Sequence, residues 1–222
     1  MPWLDEGLSH VAEEELYYAS ALHGSGENLT YANISASGAQ TTAFNAFAAP
    51  NLTRFRDYLV RPDMAGLEHA VGNANRGMTW AFLRYAADRH GGLESSFWSA
   101  LAFSRDTGMT NIKNRIGSVV NPWIRDFLVS VYTADAVGGI AAIYTQPSWN
   151  FRSIYGGVSL RGDPLGYPLH VTAMVCGVGV SSTLGTSGGT RFMRFGVPGS
   201  GFGSASGTTT GANQALVLVR TK

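Results

Sequence analysis

Cysteine is nearly absent from this chain. Its 222 residues include one, Cys176, so no disulfide can form within it. Charge is scarce too: Asp, Glu, Lys and Arg make up 14%, against about a quarter in ordinary soluble proteins. The net charge is +1, and no basic run or stripe stands out, so nucleic acid is not an expected partner. No apolar run approaches the 18 residues or so that a membrane-spanning helix needs. No basic n-region with an apolar h-region opens the chain, so no signal peptide is read there. The sequence contains no internal repeat. The glycines of "PGSGFGSASG" lack the Lys-Ser/Thr ending of a phosphate-binding loop and are not followed by a helical pattern.

What fills the gap is apolar and small. Hydrophobic residues reach 45%, enough for a sizeable core, and there are 28 glycines. The balance of Gly, Ser, Thr, Ala and Asn is common in secreted proteins. Up to about residue 156 the periodicity is helical. In "EGLSHVAEEELYYASALH", Leu8, Val11, Ala12, Leu16, Ala19 and Leu22 fall near one face. "NLTRFRDYLV" offers Asn51 as an N-cap. "NRGMTWAFLRYAADRHGG" sets Met78, Phe82, Tyr85 and Ala86 along a stripe and stops at Gly91-Gly92. His90, at that helix end, suits the helix dipole. "ESSFWSALAFSRDTG" is expected to stop at Gly108, and "NIKNRIG" reads as a short helix. "NPWIRDFLVSVYTADAVGG" has Asn121 as cap, Pro122 at the first helical position and a closing glycine pair.

Beyond that point the pattern becomes strand-like. "GGVSLRGDPLGYP" is a turn-rich linker. "LHVTAMVCGVGV", "TRFMRFGV" and "QALVLVR" are rich in strand formers. Cys176 lies within the first of these runs and reads as a small buried hydrophobe. The expected architecture is therefore α+β, with a helical part over 1–156 and a small antiparallel β module over 157–222.

The chemistry-bearing stretch is "WLDEGLSH", Trp3 to His10. Residues four apart share a helix face, so Glu6, His10 and Glu14 fall in one line, with Glu13 beside it. Such a set binds a divalent metal, or lets a carboxylate orient an imidazole. The plain alternative is an exposed acidic face carrying one histidine, and spacing alone favours it.

"WLDEGLSH" also resembles the W-L-N-E-G segment that follows the HExxH helix in gluzincin zinc metallopeptidases. The hyicolysin-like branch, where the segment often continues EGLSxxAEE, is the nearest likeness. "TWAFLRY", "PSWNFRSIY" and "LVLVRTK" resemble further parts of that branch. The resemblance implies a zincin-type catalytic domain, a Zn cofactor, peptide or protein substrates, and an extracellular or cell-envelope location. Residue by residue it implies Glu6 as the third zinc ligand. His10, four residues on, would hydrogen-bond a ligand rather than the metal, and Gly7 would admit the HExxH helix. The oxyanion donor is expected among His69, Arg76, Tyr85 and Tyr155. None of the five histidines is followed by Glu, so HExxH is missing. The chain therefore reads as the C-terminal part of a longer peptidase, inactive in isolation. Truncation is expected to leave an uncovered surface around Leu4, Glu6 and His10.

Arg152, among Trp149, Phe151 and Tyr155, suits a clamp for a substrate carboxylate or a ring. A structural tie between linker and helices serves equally. The rival functional class is a non-catalytic secreted or envelope-binding protein using that aromatic cluster and the Gly-rich loops.

Overall fold

In a computed structural model, the described residues are 2–68, 72–175, 189–196 and 214–221. Helix α1 spans Pro2–Ala21. The short helices α2 (Tyr31–Ile34) and α3 (Gly38–Ala43) follow. A π-helical turn, Phe44–Ala48, runs directly into α4 (Ala49–Val60). Then come α5 (Asn73–His90), α6 (Glu94–Ala102), α7 (Gly108–Ile116), α8 (Val120–Thr133) and α9 (Phe151–Gly157). Two three-residue strands, β1 (Val171–Ala173) and β2 (Phe192–Arg194), follow, and short 3-10 turns lie at Pro62–Met64, Ala142–Tyr144 and Leu160–Gly162. The fold is mostly helical α+β.

Helix α5 is the axis. Its residues from Gly77 to Ala87 are all buried, the pattern of a helix covered on every side. Gly77 lets α4 cross it at backbone contact: a Cβ there would lie 2.2 Å from the Arg54 carbonyl carbon. On another side α1 closes over α5 at Gly7, where a Cβ would meet Thr79 Cγ2 at 2.5 Å and Leu83 Cδ1 at 2.8 Å. Gly7 thus serves α5 in this fold. Trp80, Trp149, Tyr17, Phe55 and Phe151 fill the space between these helices. The loop after α1 is pinned by Leu29, whose N–H donates to Ser148 O at 3.0 Å and whose carbonyl accepts from Asn150 N at 3.0 Å.

Several element boundaries differ from expectation. Asn51 does not cap α4, which starts at Ala49 with Pro50 in its first turn. Asn51 is instead fully buried: Nδ2 donates to the His10 carbonyl at 2.8 Å, and Oδ1 accepts from Arg54 at 2.8 Å. Gly108 opens α7 rather than closing α6, which stops at Ala102. Helix α8 starts at Val120 and ends at Thr133, before Asp135 with its positive φ of 56°.

The strands pair in parallel, with Val171 opposite Phe192 and Ala173 opposite Arg194, and not antiparallel as the turn-rich sequence suggested. A parallel return needs roughly a dozen residues or more, and 174–191 provides that length. "QALVLVR" (214–220) carries no regular strand. Cys176 and His69 lie outside the described residues. The expected boundary at 156 falls inside α9, and the segment beyond it is tied to the helices. Tyr167 Oη donates to Val131 O at 2.7 Å, His170 N to Leu59 O at 2.8 Å and Thr190 N to Pro62 O at 2.9 Å. No helix among the described residues is long and apolar enough to cross a membrane.

Candidate functional site

The buried stripe of α1 is Trp3, Leu4, Gly7, His10, Val11, Glu14, Tyr17, Tyr18 and Ala21. It follows helical spacing but passes through two polar residues. Leu16 and Leu22, expected on the buried face, are exposed. Leu4 and His10, expected to be uncovered, are buried.

The line Glu6–His10–Glu14 does not hold together. Each four-residue step overshoots a full turn by about 40°, so two steps separate Glu6 from Glu14 by about 80°. Glu14 points into the core, wholly buried. It accepts from Tyr18 Oη at 2.9 Å, from Trp80 Nε1 at 3.2 Å and from Trp149 Nε1. Arg84 Nη1 lies 3.7 Å away. Burial raises the Glu14 pKa, while Arg84 and the donors from Trp149 and Tyr18 oppose the rise.

Glu6 and His10 face a different set of partners. The Glu6 side chain is 35% exposed, and its Oε1 lies 2.9 Å from Arg76 Nε and 3.6 Å from His10 Nε2. His10 Nδ1 lies 3.3 Å from Glu13 Oε2, which also accepts from Arg54 at 2.9 Å. A proton on Nδ1 serves Glu13, and Nε2 then presents a lone pair towards Glu6. Nε2 is buried without a hydrogen-bond partner. Burial, then Arg54, lower the His10 pKa, against the carboxylates of Glu13 and Glu6. On this ring Nδ1 is the nitrogen held by a carboxylate, while Nε2 faces Glu6 at 3.6 Å.

That arrangement offers at most two ligands. Among the described residues, no group of three or more His, Cys, Asp or Glu side chains is placed to hold a metal. Zinc sites use three or four protein ligands. The described residues therefore do not form a zinc site by themselves.

Of the oxyanion candidates, Tyr85 donates its hydroxyl to Ile143 O at 2.6 Å and accepts from Arg89 at 2.9 Å. Burial pushes its pKa up to about 12. Tyr155, buried, donates to Leu52 O at 2.6 Å. Neither phenol faces Glu6. Arg76 does, from the first turn of α5. Arg152 is engaged as a brace: Nε donates to Ala134 O at 3.1 Å and Nη2 to Tyr132 O at 2.6 Å, and the guanidinium lies 4.3 Å from the Tyr167 ring centroid. Trp149, Phe151 and Tyr155 belong to the core, so they do not offer an aromatic binding surface.

One cluster was not anticipated. Arg84, 3% exposed, sits among four carboxylates: Asp88 at 3.3 Å, Glu15 at 3.5 Å, Glu14 at 3.7 Å and Glu94 in direct contact. The available signal was an arginine inside the apolar run "WAFLRY". A long cation at such a position is buried only with partners. Comparison with family models, with characterised proteins and with solved structures finds no match to this chain.

Proposed function

We propose that this chain carries the third-ligand helix of a gluzincin-type zinc peptidase, with Glu6 as the ligand. The reading rests on "WLDEGLSH" and on one observation: the half-open Glu6 carboxylate faces the partner-free Nε2 of His10, whose Nδ1 is engaged by Glu13. Two histidines and a general-base glutamate would be supplied by residues outside this chain. When bound in such a centre, zinc polarises the peptide carbonyl and activates water.

What this chain's own residues do is narrower. Packing of Trp3, Leu4 and Gly7 onto the core fixes the first turns of α1, so Glu6 is held on a rigid element. Glu13, steadied by Arg54, orients the His10 ring. Arg76 balances the Glu6 charge. The isolated chain should bind zinc weakly and hydrolyse nothing. Peptide substrates and an extracellular or envelope location belong to the same proposal.

The test is the longest natural reading frame that includes these residues, purified and assayed for zinc content and peptide cleavage. Glu6→Gln should lose both while keeping the melting temperature. Full zinc occupancy in that variant, or the lack of any HExxH in the frame, rejects the reading. So does tight one-to-one zinc binding by this chain alone.

A further inference from the structure

A cavity of about 330 Å³ lies where the end of α4 meets the two strands. This volume is at the small end of the range for small-molecule sites. Its frame is fixed by backbone hydrogen bonds on both sides, His170 N to Leu59 O and Thr190 N to Pro62 O, and by the pairing of β1 with β2. The lining is cationic. The guanidiniums of Arg61 and Arg191 contribute, with the His170 ring and Thr172 beside them, against one carboxylate, Asp63. Asp63 is already committed, accepting from Arg191 Nη2 at 2.8 Å. Arg61 is exposed, and among the described residues its guanidinium meets no carboxylate within ion-pair distance. The carbonyls ending α4 contribute only about half a negative charge, less than one guanidinium.

We propose that this cavity binds a small oxyanion, a carboxylate or a phosphate. Arg61 supplies the uncompensated charge. Arg191 is oriented by Asp63 and keeps further N–H donors, because a guanidinium has five. Thr172 offers a neutral donor. Planar guanidinium forks match carboxylate and phosphate oxygens. Asn51 and Val60 are separated by about 14 Å along α4 at 1.5 Å per residue, so the site lies towards the end of that helix away from the His10 contact. It does not depend on the peptidase reading.

The experiment titrates the full chain with inorganic phosphate and, separately, with N-acetylglycine, at constant ionic strength. Calorimetry and the His170 ring resonances are the readouts. Saturable one-to-one binding by either anion is expected, with the His170 signals shifting. Tighter phosphate binding assigns a phosphate ligand; tighter N-acetylglycine binding assigns a terminal carboxylate. Arg61→Gln should weaken binding about tenfold or more, the worth of a charge-assisted hydrogen bond. Thr172→Val should weaken it independently, which covers a failure of the first variant to fold. Arg105→Gln, in the exposed turn before α7, should change nothing. Absence of saturation with both anions, or equal weakening in the Arg105 variant, overturns the proposal.

Discussion

Glu14 carries three donors and a guanidinium in the middle of the aromatic core, so its removal costs more than a side chain's volume. Glu14→Ala leaves the N–H groups of Trp80 and Trp149 and the hydroxyl of Tyr18 with no acceptor. Urea unfolding should show a loss of about 3–5 kcal/mol, as for other broken buried charge pairs. Glu14→Gln keeps one acceptor oxygen and should lose less. Equal losses would mean that the full carboxylate facing Arg84, and not packing or a single acceptor oxygen, fixes this residue. Arg76 gives the matching test on the exposed side. Its Nε sits against the carboxylate proposed to meet the metal, and it is 39% exposed, so the repulsion it exerts on a bound cation is close to the water limit of roughly 1 kcal/mol. Arg76→Met should tighten the weak zinc binding of the chain about fivefold, read by competition with a chelating dye, and Glu6→Gln should abolish the gain. The spacing of Glu6 and His10 was legible in the sequence. The depth of His10 and the diversion of Glu14 were not, because a four-residue step records neighbours and not the drift that turns the next one inward.

At the scale of helices, α1 shows why apolar periodicity alone misjudged a face. Its expected stripe of Leu8, Val11, Ala12, Leu16, Ala19 and Leu22 was chosen by hydrophobicity, and of these only Val11 is buried. The real one is set by Trp3, Gly7, Tyr17 and Tyr18; it accepts Glu14 because Tyr18, two tryptophans and Arg84 satisfy its carboxylate, and His10 with its Nδ1 on Glu13. Helix α5 was read correctly, since a helix buried on every side includes whichever stripe is chosen. Asn51 was taken for a cap because its type favours caps; a fully buried amide instead spends its groups across the α1–α4 contact. The α1–α5–α6 junction adds a pH response. Burial and the nearby Glu94 carboxylate raise Glu15 from its ordinary 4.5 to about 7, and Arg84 only partly offsets them. Glu94 moves the other way: burial is outweighed by Arg84 and by donors from Ser25 and Trp98. For Glu15 the folded state holds the proton more tightly. Its contribution is complete below about pH 4.5 and is lost as pH rises through about 7. The melting temperature should therefore fall between those values more steeply for the wild type than for Glu15→Gln. Parallel curves would remove Glu15 from the account.

For the whole molecule, the change of pattern near residue 156 was legible, and the helix-rich part with a small sheet after it is what folds. Strand direction was not legible. Short apolar runs divided by glycine-rich stretches look like hairpins, while the direction of pairing depends on where the chain returns. Contacts among the described residues also cross residue 156. Arg152 braces the end of α8 and lies against Tyr167, Tyr167 hydrogen-bonds Val131, and Leu160, Leu169 and Phe192 pack on the helical core. Such ties make local opening of the later segment expose apolar surface on both sides, so the two parts should melt together. Calorimetry should give one transition whose van't Hoff and calorimetric enthalpies agree. Arg152→Met leaves the Tyr132 and Ala134 carbonyls without their charged donor, a loss of about 1.5–3 kcal/mol. It should lower the single transition without dividing it. If the wild type melts in two steps, the helical part and the later segment are separate folding units; if only the variant does, Arg152 is the contact that joins them.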